Sequence, residues 1–383
     1  MSDVEYDDAI VGAGILGLAH AERLARRGRR VLVIERSPRA QGASIRNFGM
    51  LWPIGQPIGP RRDLAMRSLA IWQDVLTSAN LWYDRSGSLH LAYHDDEAAV
   101  LEEFVQNAGE PSFPCEILNP KQVRAQSPYA RLEGLRTGLW SPSEIGVDPR
   151  EVVAKLPEYL AKTYGVAFIF GQAVIGYESP RVITSHQQWR ADRLWVCSGD
   201  DLETLYPDVF REAGLYRCKL QMMRSEPLPQ ETRLGPMLAA GSTLRHYASF
   251  ENCPSLPAMK ARFSAERPEF DRFGIHVMAS QNGLGEIVIG DSHEYGDAID
   301  PFDKTQINTM VLEYLFTFLD MPTIRIASRW HGTYAKSRDN SWTVAKPAPG
   351  VTVVTGVGGA GMTLSFGLAD RVVRETLGEG ESS

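Results

Sequence analysis

Cysteine is scarce in this 383-residue sequence, and long apolar runs are absent from it. The four cysteines are widely spaced and form no CxxC or Cys/His cluster, so we expect neither a metal site nor a disulfide framework. This usage is typical of a reducing cytoplasm. No apolar run approaches the roughly 20 residues that cross a bilayer, and the acidic N-terminus lacks a signal-peptide pattern. We therefore predict a cytoplasmic protein without a membrane partner.

A basic surplus is also absent. The 40 Lys and Arg residues against 47 Asp and Glu give a net charge of −7, which argues against a nucleic-acid partner that depends on a broad basic field. Lysine is rare, with 8 residues against 32 arginines. Arginine suits two-pronged recognition of carboxylate or phosphate, although a GC-rich genome would produce the same skew. Length and the 43 % apolar content predict a globular chain of more than one ordinary domain.

The first forty residues read as a strand, a glycine turn, an amphipathic helix and a second strand. Gly12 permits the tight turn, Gly14 the close approach of a pyrophosphate, and Gly17 the packing of the helix on the strand. The helix N-terminus would then face the phosphates. Glu35, 18 residues after Gly17, ends the second strand, where a carboxylate can accept ribose hydroxyls. This pattern predicts a dinucleotide site without separating NAD from FAD.

A second glycine-rich turn near the C-terminus favours FAD. Val351–Thr355 is predicted to be a strand, and four glycines and a helix through Arg374 follow it. A simple NAD dehydrogenase has no use for this turn. It resembles the C-terminal flavin-contacting segment of the DAO-like flavoproteins, the family of D-amino-acid, glycine and sarcosine oxidases. That segment and its helix N-terminus meet the flavin ring, where negative charge develops on reduction.

Further segments resemble this family in the expected order along nearly the whole chain. They are the flavin-approaching segment 41–50, the start of a helix at 146–150, an adenine-framing strand at 166–174, a strand with a small-residue turn at 191–200, substrate-domain strands at 219–222 and 285–290, and a loop at 330–332 before the flavin segment. The family's covalent flavin attachment points have no match here. The resemblance therefore implies non-covalent FAD.

The resemblance also implies the fold and the residues that contact the cofactor. We expect an α/β fold in which a Rossmann-like FAD-binding domain (1–75, 148–215 and 325–383) is interleaved with a substrate domain (76–147 and 216–324) built on a mixed, largely antiparallel sheet with helices. The implied cofactor contacts are Gly12, Gly14, Ile15, Leu16, Gly17, Glu35, Arg36, Ser44, Arg46, Asn47, Phe48, Gly49, Val174, Ser198, Gly199, Gly356, Gly358, Gly359, Gly361, Met362 and Thr363.

The family passes a hydride equivalent from the substrate carbon to flavin N5, and the resulting imine hydrolyses. Such chemistry requires no acid–base dyad, and the sequence shows none, so no catalytic residue is assigned. The arginine and lysine that hold the substrate carboxylate in sarcosine oxidases correspond here to Gly49 and Thr363. Tyr334 replaces an arginine of glycine oxidases. The electron acceptor, O₂ or another, stays open.

Another set of residues must therefore hold the acidic group of the substrate. The candidates for substrate binding are Arg46, Met50, Trp52, Arg245, His246, Tyr247, His276, His331, Tyr334 and Lys336. Several candidates also have another interpretation. Arg46 could bind the pyrophosphate of FAD, Lys336 could be an ordinary surface lysine, and the histidines could have structural roles. Residues 42–56 resemble a subgroup associated with organophosphonate catabolism, which implies 2-aminoethylphosphonate or its N-methyl form as substrate.

Several alternatives stay open at this point. Within the family, the substrate could be a carboxylate amino acid such as glycine, sarcosine or a D-amino acid, or a 2-hydroxy acid. Outside it, an NAD-dependent Rossmann dehydrogenase and a non-catalytic or tRNA-modifying flavoprotein compete. The second glycine turn disfavours the former, and the net charge of −7 disfavours a tRNA partner.

Overall fold

The computed structural model describes residues 5–108, 113–321, 324–338 and 342–379. Its strands are β1 (Glu5–Val11), β2 (Val31–Glu35), β3 (Met50–Leu51), β4 (Tyr83–Asp84), β5 (Ser88–Ala92), β6 (Glu116–Leu118), β7 (Thr137–Ser141), β8 (Ile145–Val147), β9 (Ala167–Phe170), β10 (Val174–Glu178), β11 (Arg181–Thr184), β12 (Gln188–Val196), β13 (Tyr216–Ser225), β14 (Met237–Ala240), β15 (Met278–Gln281), β16 (Ile287–Gly290), β17 (Glu294–Gly296), β18 (Ile326–Lys336), β19 (Thr343–Ala345) and β20 (Val351–Thr355). Its α-helices are α1 (Ile15–Ala25), α2 (Pro60–Ser78), α3 (Asp95–Ala108), α4 (Pro120–Gln126), α5 (Pro149–Tyr164), α6 (Pro207–Glu212), α7 (Gly241–Leu244), α8 (Leu256–Glu266), α9 (Pro268–Arg272), α10 (Thr305–Phe318) and α11 (Gly361–Leu377).

The first sheet has a parallel centre of Rossmann type. β1 lies between β2 and β12 and is parallel to both, β9 continues beyond β2, and β20 pairs with the end of β12. The hairpin β10–β11 and the strand β19 add antiparallel pairs. The carboxyl ends of parallel strands share one edge of a sheet, where ligands bind. Both predicted glycine turns, after Val11 and Thr355, therefore lie at that edge.

Helices α1, α2, α5 and α11 supply the apolar core beside this sheet. Trp72 of α2 is fully buried, and its ring lies 4.6 Å from that of Phe366 in α11. Each such side chain contributes on the order of 1.5–3 kcal/mol through its removal from water. The packing holds the first turn of α11, which carries the second glycine motif, against the rest of the molecule.

The second sheet confirms the predicted mixed, largely antiparallel architecture. Its strand order is β17-β13-β16-β15-β14-β5-β7-β6, with β18 on the other side of β13. The β14–β5 pair is parallel, and the other pairs are antiparallel. Helix α10 packs its apolar residues, including Val311 and Phe318, into the core of this sheet. A small three-stranded sheet, β3-β8-β4, lies apart from both.

Strand β18 differs from the sequence prediction. Residues 330–332 were expected to form a loop and 325–383 to belong to the FAD domain, yet β18 pairs with β13 along most of its length. The prediction was wrong at this segment because pairing with a strand about a hundred residues away is not visible in local sequence. Residues 166–174 likewise form two strands, β9 and β10, where one was expected. The other domain bounds stay predictions.

Within the described ranges, no helix is both long enough and apolar enough to cross a bilayer.

Candidate functional site

A cavity of about 1000 Å³ opens at the carboxyl edge of the first sheet and extends to the second sheet. Ligand pockets commonly span roughly 300–1,000 Å³, so this one has room for a dinucleotide together with a small molecule. All the predicted site residues line it except Gly17, Gly49 and His331. Most of the residues predicted from the sequence therefore line one cavity, although they come from segments that lie far apart along the chain.

The first glycine turn is held by contacts that leave no space for a side chain. Gly12 has a φ of +96°, and a Cβ atom there would lie 2.5 Å from the carbonyl oxygen of Cys197. A Cβ atom at Gly17 would lie 1.9 Å from the carbonyl oxygen of Gly12. Gly17 therefore packs helix α1 against the turn and does not face the cavity.

The N-terminus of α1 faces the cavity, and few protein groups offset its partial positive charge. Gly14 precedes the helix without a side-chain cap, and no acidic residue lies in the first turn. The backbone N–H of Ile15 donates to Ser44 Oγ at 2.9 Å. A helix N-terminus carries a partial positive charge of about half a unit, so this end suits a diphosphate.

Glu35 lies where β2 ends and is already partly engaged. Its Oε2 accepts the N–H of Ala13 at 3.0 Å, and its Oε1 accepts the N–H of Ser37 at 2.9 Å. A carboxylate has about four acceptor sites, so it can still accept ribose hydroxyls. Arg36 is exposed and pairs with Asp201 at 2.9 Å. Val174, Ser198 and Gly199 line the same end of the cavity.

The second glycine turn is anchored at the start of α11. Thr363 Oγ1 accepts the N–H of Trp52 at 2.9 Å, and the Met362 carbonyl accepts the indole N–H of Trp72 at 2.8 Å. Gly356, Gly358, Gly359 and Gly361 line the cavity beside them. A second helix N-terminus thus meets the cavity at a fixed position.

The segment between α1 and β3 is ordered by Asn47. Its side chain donates to the carbonyls of Ala43 and Ser44 and accepts the N–H of Gly49. A Cβ atom at Gly49 would lie 2.0 Å from the Val147 carbonyl oxygen, so Gly49 packs against β8. The prediction that Gly49 contacts the cofactor differs from the structure, because the residue does not line the cavity.

The substrate end of the cavity has aromatic walls. Met50, Trp52, Tyr247 and Tyr334 line it, and the rings of Trp52 and Tyr247 lie 6.4 Å apart. Burial raises the pKa of Tyr334 well above its usual value, so this hydroxyl stays protonated at neutral pH. Such walls exclude water from a reacting centre.

Lys336 is the half-buried cation of this region. Its side chain lies 3.7 Å from the Cβ position of Gly358 in the flavin turn, and its Nζ lies 3.5 Å from the Tyr295 hydroxyl. Among the described residues, no carboxylate oxygen lies within 4 Å of Nζ. Burial lowers the pKa of Lys336, and the positive charge of Arg61 lowers it further. Arg61, which sequence reasoning missed, also lines the cavity.

Three of the predicted substrate-binding side chains are engaged elsewhere. Arg46 lines the cavity but donates to the His331 carbonyl at 3.1 Å. Arg245 lines the cavity but pairs with Asp271, and its guanidinium lies 4.5 Å from the Phe263 ring. The His331 ring lies 2.9 Å from Asp303 and does not line the cavity. The prediction of a substrate contact at His331 therefore differs from the structure, because its side chain contacts Asp303 outside the cavity.

Sequence reasoning missed a histidine group on the wall of the cavity. His246, His276 and His293 have ring centroids 3.8–5.1 Å apart, and Asp291 lies beside them. Only His246 and His276 were candidates from the sequence. The group has no local signal, since its members are 30 and 17 residues apart and meet only because β15 pairs with β16.

The chain resembles known proteins over nearly its full length. Residues 7–375 match the model of the family described as DAO, FAD dependent oxidoreductase. The chain is 30 % identical over 287 residues to the tRNA 5-methylaminomethyl-2-thiouridine biosynthesis bifunctional protein MnmC of Burkholderia orbicola, which covers 67 % of this chain and 42 % of that protein. It is 24 % identical over 319 residues to a glycerol 3-phosphate dehydrogenase of Caloramator mitchellensis, covering 79 % of this chain and 58 % of the relative. The chain thus spans about half the length of these curated relatives.

A solved structure carries the same fold. The glycine oxidase of Bacillus cereus superposes with a TM-score of 0.80 at 20 % identity, covering 98 % of this chain and 96 % of that one. The two glycine turns, the two open helix N-termini and the long cavity all fit a flavin dinucleotide, and FAD is the cofactor. The chain belongs to the DAO family of FAD dependent oxidoreductases.

Proposed function

We propose that this protein oxidises the C–N bond of a small amine that carries an acidic group. The observation that carries the proposal is Lys336, a half-buried cation without a carboxylate partner among the described residues, placed between the flavin turn and the aromatic walls. A buried charge requires a counter-charge. The acidic group of a substrate supplies one at this place.

The surrounding residues suit the oxidation of an amine. Bound FAD supplies the hydride acceptor, so the protein has to position the substrate and keep water out. Trp52, Tyr247 and Tyr334 provide that apolar enclosure. Imine hydrolysis then releases a carbonyl compound and an amine or ammonia.

A phosphonate is the acid that we propose. Lys336 and Arg61 both line the cavity, and two cations suit a dianion better than a single carboxylate. The resemblance of residues 42–56 to the organophosphonate subgroup supports the same choice. The proposed substrates are 2-aminoethylphosphonate and its N-methyl form.

The named relatives leave two alternatives. Glycine and a methylaminomethyl nucleoside appear in two of the names, and both favour an amine donor. They keep a carboxylate amino acid, such as glycine, sarcosine or a D-amino acid, as the second candidate. Glycerol 3-phosphate, in the third name, is an alcohol with a phosphate group. It favours an acid of phosphate type and also keeps the oxidation of a hydroxy compound as an alternative.

The proposed partners are small molecules. The net charge of −7 supports a protein that does not use a nucleic acid, and we propose a cytoplasmic location. The acceptor is O₂ or another oxidant. Retention on heparin without turnover of any amine would instead favour a tRNA-related role.

Product analysis tests the proposed function. The purified enzyme is supplied with an artificial electron acceptor and with 2-aminoethylphosphonate, its N-methyl form, sarcosine, glycine, D-alanine, lactate or glycerol 3-phosphate. We expect an aldehyde together with ammonia or methylamine from the two phosphonates. Turnover of the amino acids alone would reject the phosphonate, and turnover of the hydroxy compounds alone would reject C–N oxidation.

A further inference from the structure

Three histidines from separate segments converge on one wall of the cavity. His246 follows α7, His276 precedes β15, and His293 follows β16. One potential ligand atom from each lies within 4.8 Å of the others. The Thr243 hydroxyl donates to the Val277 carbonyl at 3.3 Å, and the Val277 N–H donates to Ser242 Oγ at 3.0 Å. These two bonds fix the two loops relative to each other.

One of these rings has a nitrogen committed to a hydrogen bond, and a second ring lies beside a carboxylate. His293 Nδ1 lies 3.0 Å from the Gly274 carbonyl oxygen. A carbonyl can only accept a hydrogen bond, so Nδ1 carries the proton and Nε2 presents a lone pair. His276 Nε2 lies 3.0 Å from Asp291 Oδ1 without hydrogen-bond geometry.

The remaining nitrogen of His276 points to a ligand that the protein does not supply. The residue is 2 % exposed, and its Nδ1 has no hydrogen-bond partner among the described residues. A carboxylate or a carbonyl on the outer nitrogen, with a free lone pair on the inner one, is the usual arrangement of a metal-binding histidine. His293 has this arrangement with the Gly274 carbonyl, and His276 has the Asp291 carboxylate 3.0 Å from its Nε2.

A cation suits this group better than an anion. Neutral imidazoles present lone pairs, and an anion would require several adjacent rings to be protonated. The carboxylate of Asp291 adds negative charge beside the rings.

We infer that His246, His276 and His293 bind one divalent transition-metal ion of the Zn²⁺ type, with Asp291 as the partner that orients His276. Three histidines with a fourth position open to a cavity form a common zinc arrangement. Zinc–nitrogen bonds are about 2.0–2.1 Å long, so binding draws the three nitrogens closer together than they lie in the free site. The sequence predicted no metal site.

The open position gives the ion a role in the proposed function. His246, His276 and His293 line the same cavity as Lys336, so an oxygen of the substrate's acidic group can complete the coordination. This part of the inference rests on the proposed function. The metal site itself does not.

Metal content of the flavin-loaded enzyme tests the site without measuring turnover. The holoenzyme is stripped with a chelator, checked for retained flavin, and incubated with Zn²⁺ or with Co²⁺. We expect about one ion per chain and a visible Co²⁺ spectrum of the four-coordinate kind. His246→Asn, at the cavity surface, should lose at least nine-tenths of the bound ion, whereas the exposed control His94→Asn should retain it.

A second variant keeps the test decisive if His246→Asn folds poorly. Asp291→Asn leaves all three imidazoles in place and should weaken Zn²⁺ binding by about 10–100-fold, as removal of such an orienting partner does. Equal zinc content in the wild type, His246→Asn and His94→Asn would overturn the site. So would unchanged affinity in Asp291→Asn.

The two proposals fail in different ways. Zinc binding without oxidation of any amine overturns the proposed function and leaves the metal site. Amine oxidation by a protein that binds no zinc overturns the metal site and leaves the proposed function. Methylphosphonate added to the Co²⁺ form should shift its spectrum, and an unchanged spectrum would overturn the role of the open position.

Discussion

At the scale of single residues, the site depends on glycines that leave no space for a side chain and on a charge that has no carboxylate partner among the described residues. Gly12 and Gly17 belong to the first kind, since a methyl group at either would meet a backbone carbonyl at 2.5 Å or less. Lys336 belongs to the second. Each gives a prediction that concerns one side chain.

Replacing Gly12 by alanine should abolish tight FAD binding. The new methyl group would overlap the Cys197 carbonyl, and the φ of +96° is unfavourable for any residue with a Cβ atom. We expect Gly12→Ala to be purified largely without flavin, with a lower melting temperature. The matched control is Gly176→Ala in β10, where the nearest atom would lie at 3.6 Å. A fully flavin-loaded Gly12→Ala protein would contradict the described turn.

Replacing Lys336 by methionine should weaken substrate binding and spare the cofactor. Loss of a hydrogen bond to a charged group is worth about 1.5–3 kcal/mol, which corresponds to roughly a 10–100-fold higher KM for the phosphonate substrate. Steady-state kinetics and flavin content measure the two effects. The exposed residue Lys346 provides the control Lys346→Met, and equal KM values for the two variants would contradict the role of Lys336.

At the scale of elements, the features that were predictable are those that depend on residues close together in the sequence. The turn from β1 through α1 to Glu35 was predictable because each residue acts on neighbours within one supersecondary unit. β18 was not, because its pairing with β13 is long-range. The same holds for His246, His276 and His293, which meet only in the folded sheet. It also holds for Arg61, whose place on the cavity wall with Lys336 has no sequence signal.

The hydrogen bond between α2 and α11 should affect the binding of the cofactor. The Trp72 indole donates to the Met362 carbonyl in the first turn of α11, so Trp72→Phe keeps most of the packing and removes that bond. We expect the free energy of unfolding to fall by about 0.5–1.5 kcal/mol. FAD affinity should fall by up to about tenfold. Denaturant unfolding and flavin titration measure both.

Trp189→Phe provides the matched control for that contact. The indole nitrogen of Trp189 is buried and has no hydrogen-bond partner among the described residues, so its loss removes no such bond. FAD affinity should stay at the wild-type value. Equal effects of the two substitutions on FAD affinity would show that the bond to Met362 does not position the flavin turn.

At the scale of the whole molecule, polar contacts join segments that lie far apart along the chain. Glu144 is fully buried, and it accepts the N–H of Ile54 at 3.0 Å and the hydroxyl of Ser88 at 3.0 Å. Arg150 bridges Asp148 at the start of α5 and Glu286 beside β16. These contacts hold distant segments together, so the ionisation of Glu144 bears on overall stability.

Glu144 should make stability fall as pH rises. Burial raises its pKa from 4.5 to about 7, so the native state holds a proton that the unfolded state releases between these values. The stabilisation is complete below pH 4.5 and is lost as pH rises through about 7, with a total on the order of 3 kcal/mol. Urea unfolding across this range should show a flatter profile for Glu144→Gln.

The exposed residue Glu102 on α3 supplies the control for this dependence of stability on pH. Glu102→Gln should reproduce the pH profile of the wild type. A wild-type profile parallel to that of Glu144→Gln would contradict the protonated state of Glu144.

Anaerobic reduction of the bound flavin decides whether the enzyme oxidises an acidic amine, because it reports the substrate without assuming an acceptor. The holoenzyme is mixed without oxygen with each amine, aminophosphonate and hydroxy compound of the panel. The account predicts that 2-aminoethylphosphonate or its N-methyl form bleaches the visible flavin absorbance and that ammonia or methylamine accumulates in proportion to it. A flavin that stays oxidised with every amine would contradict the account.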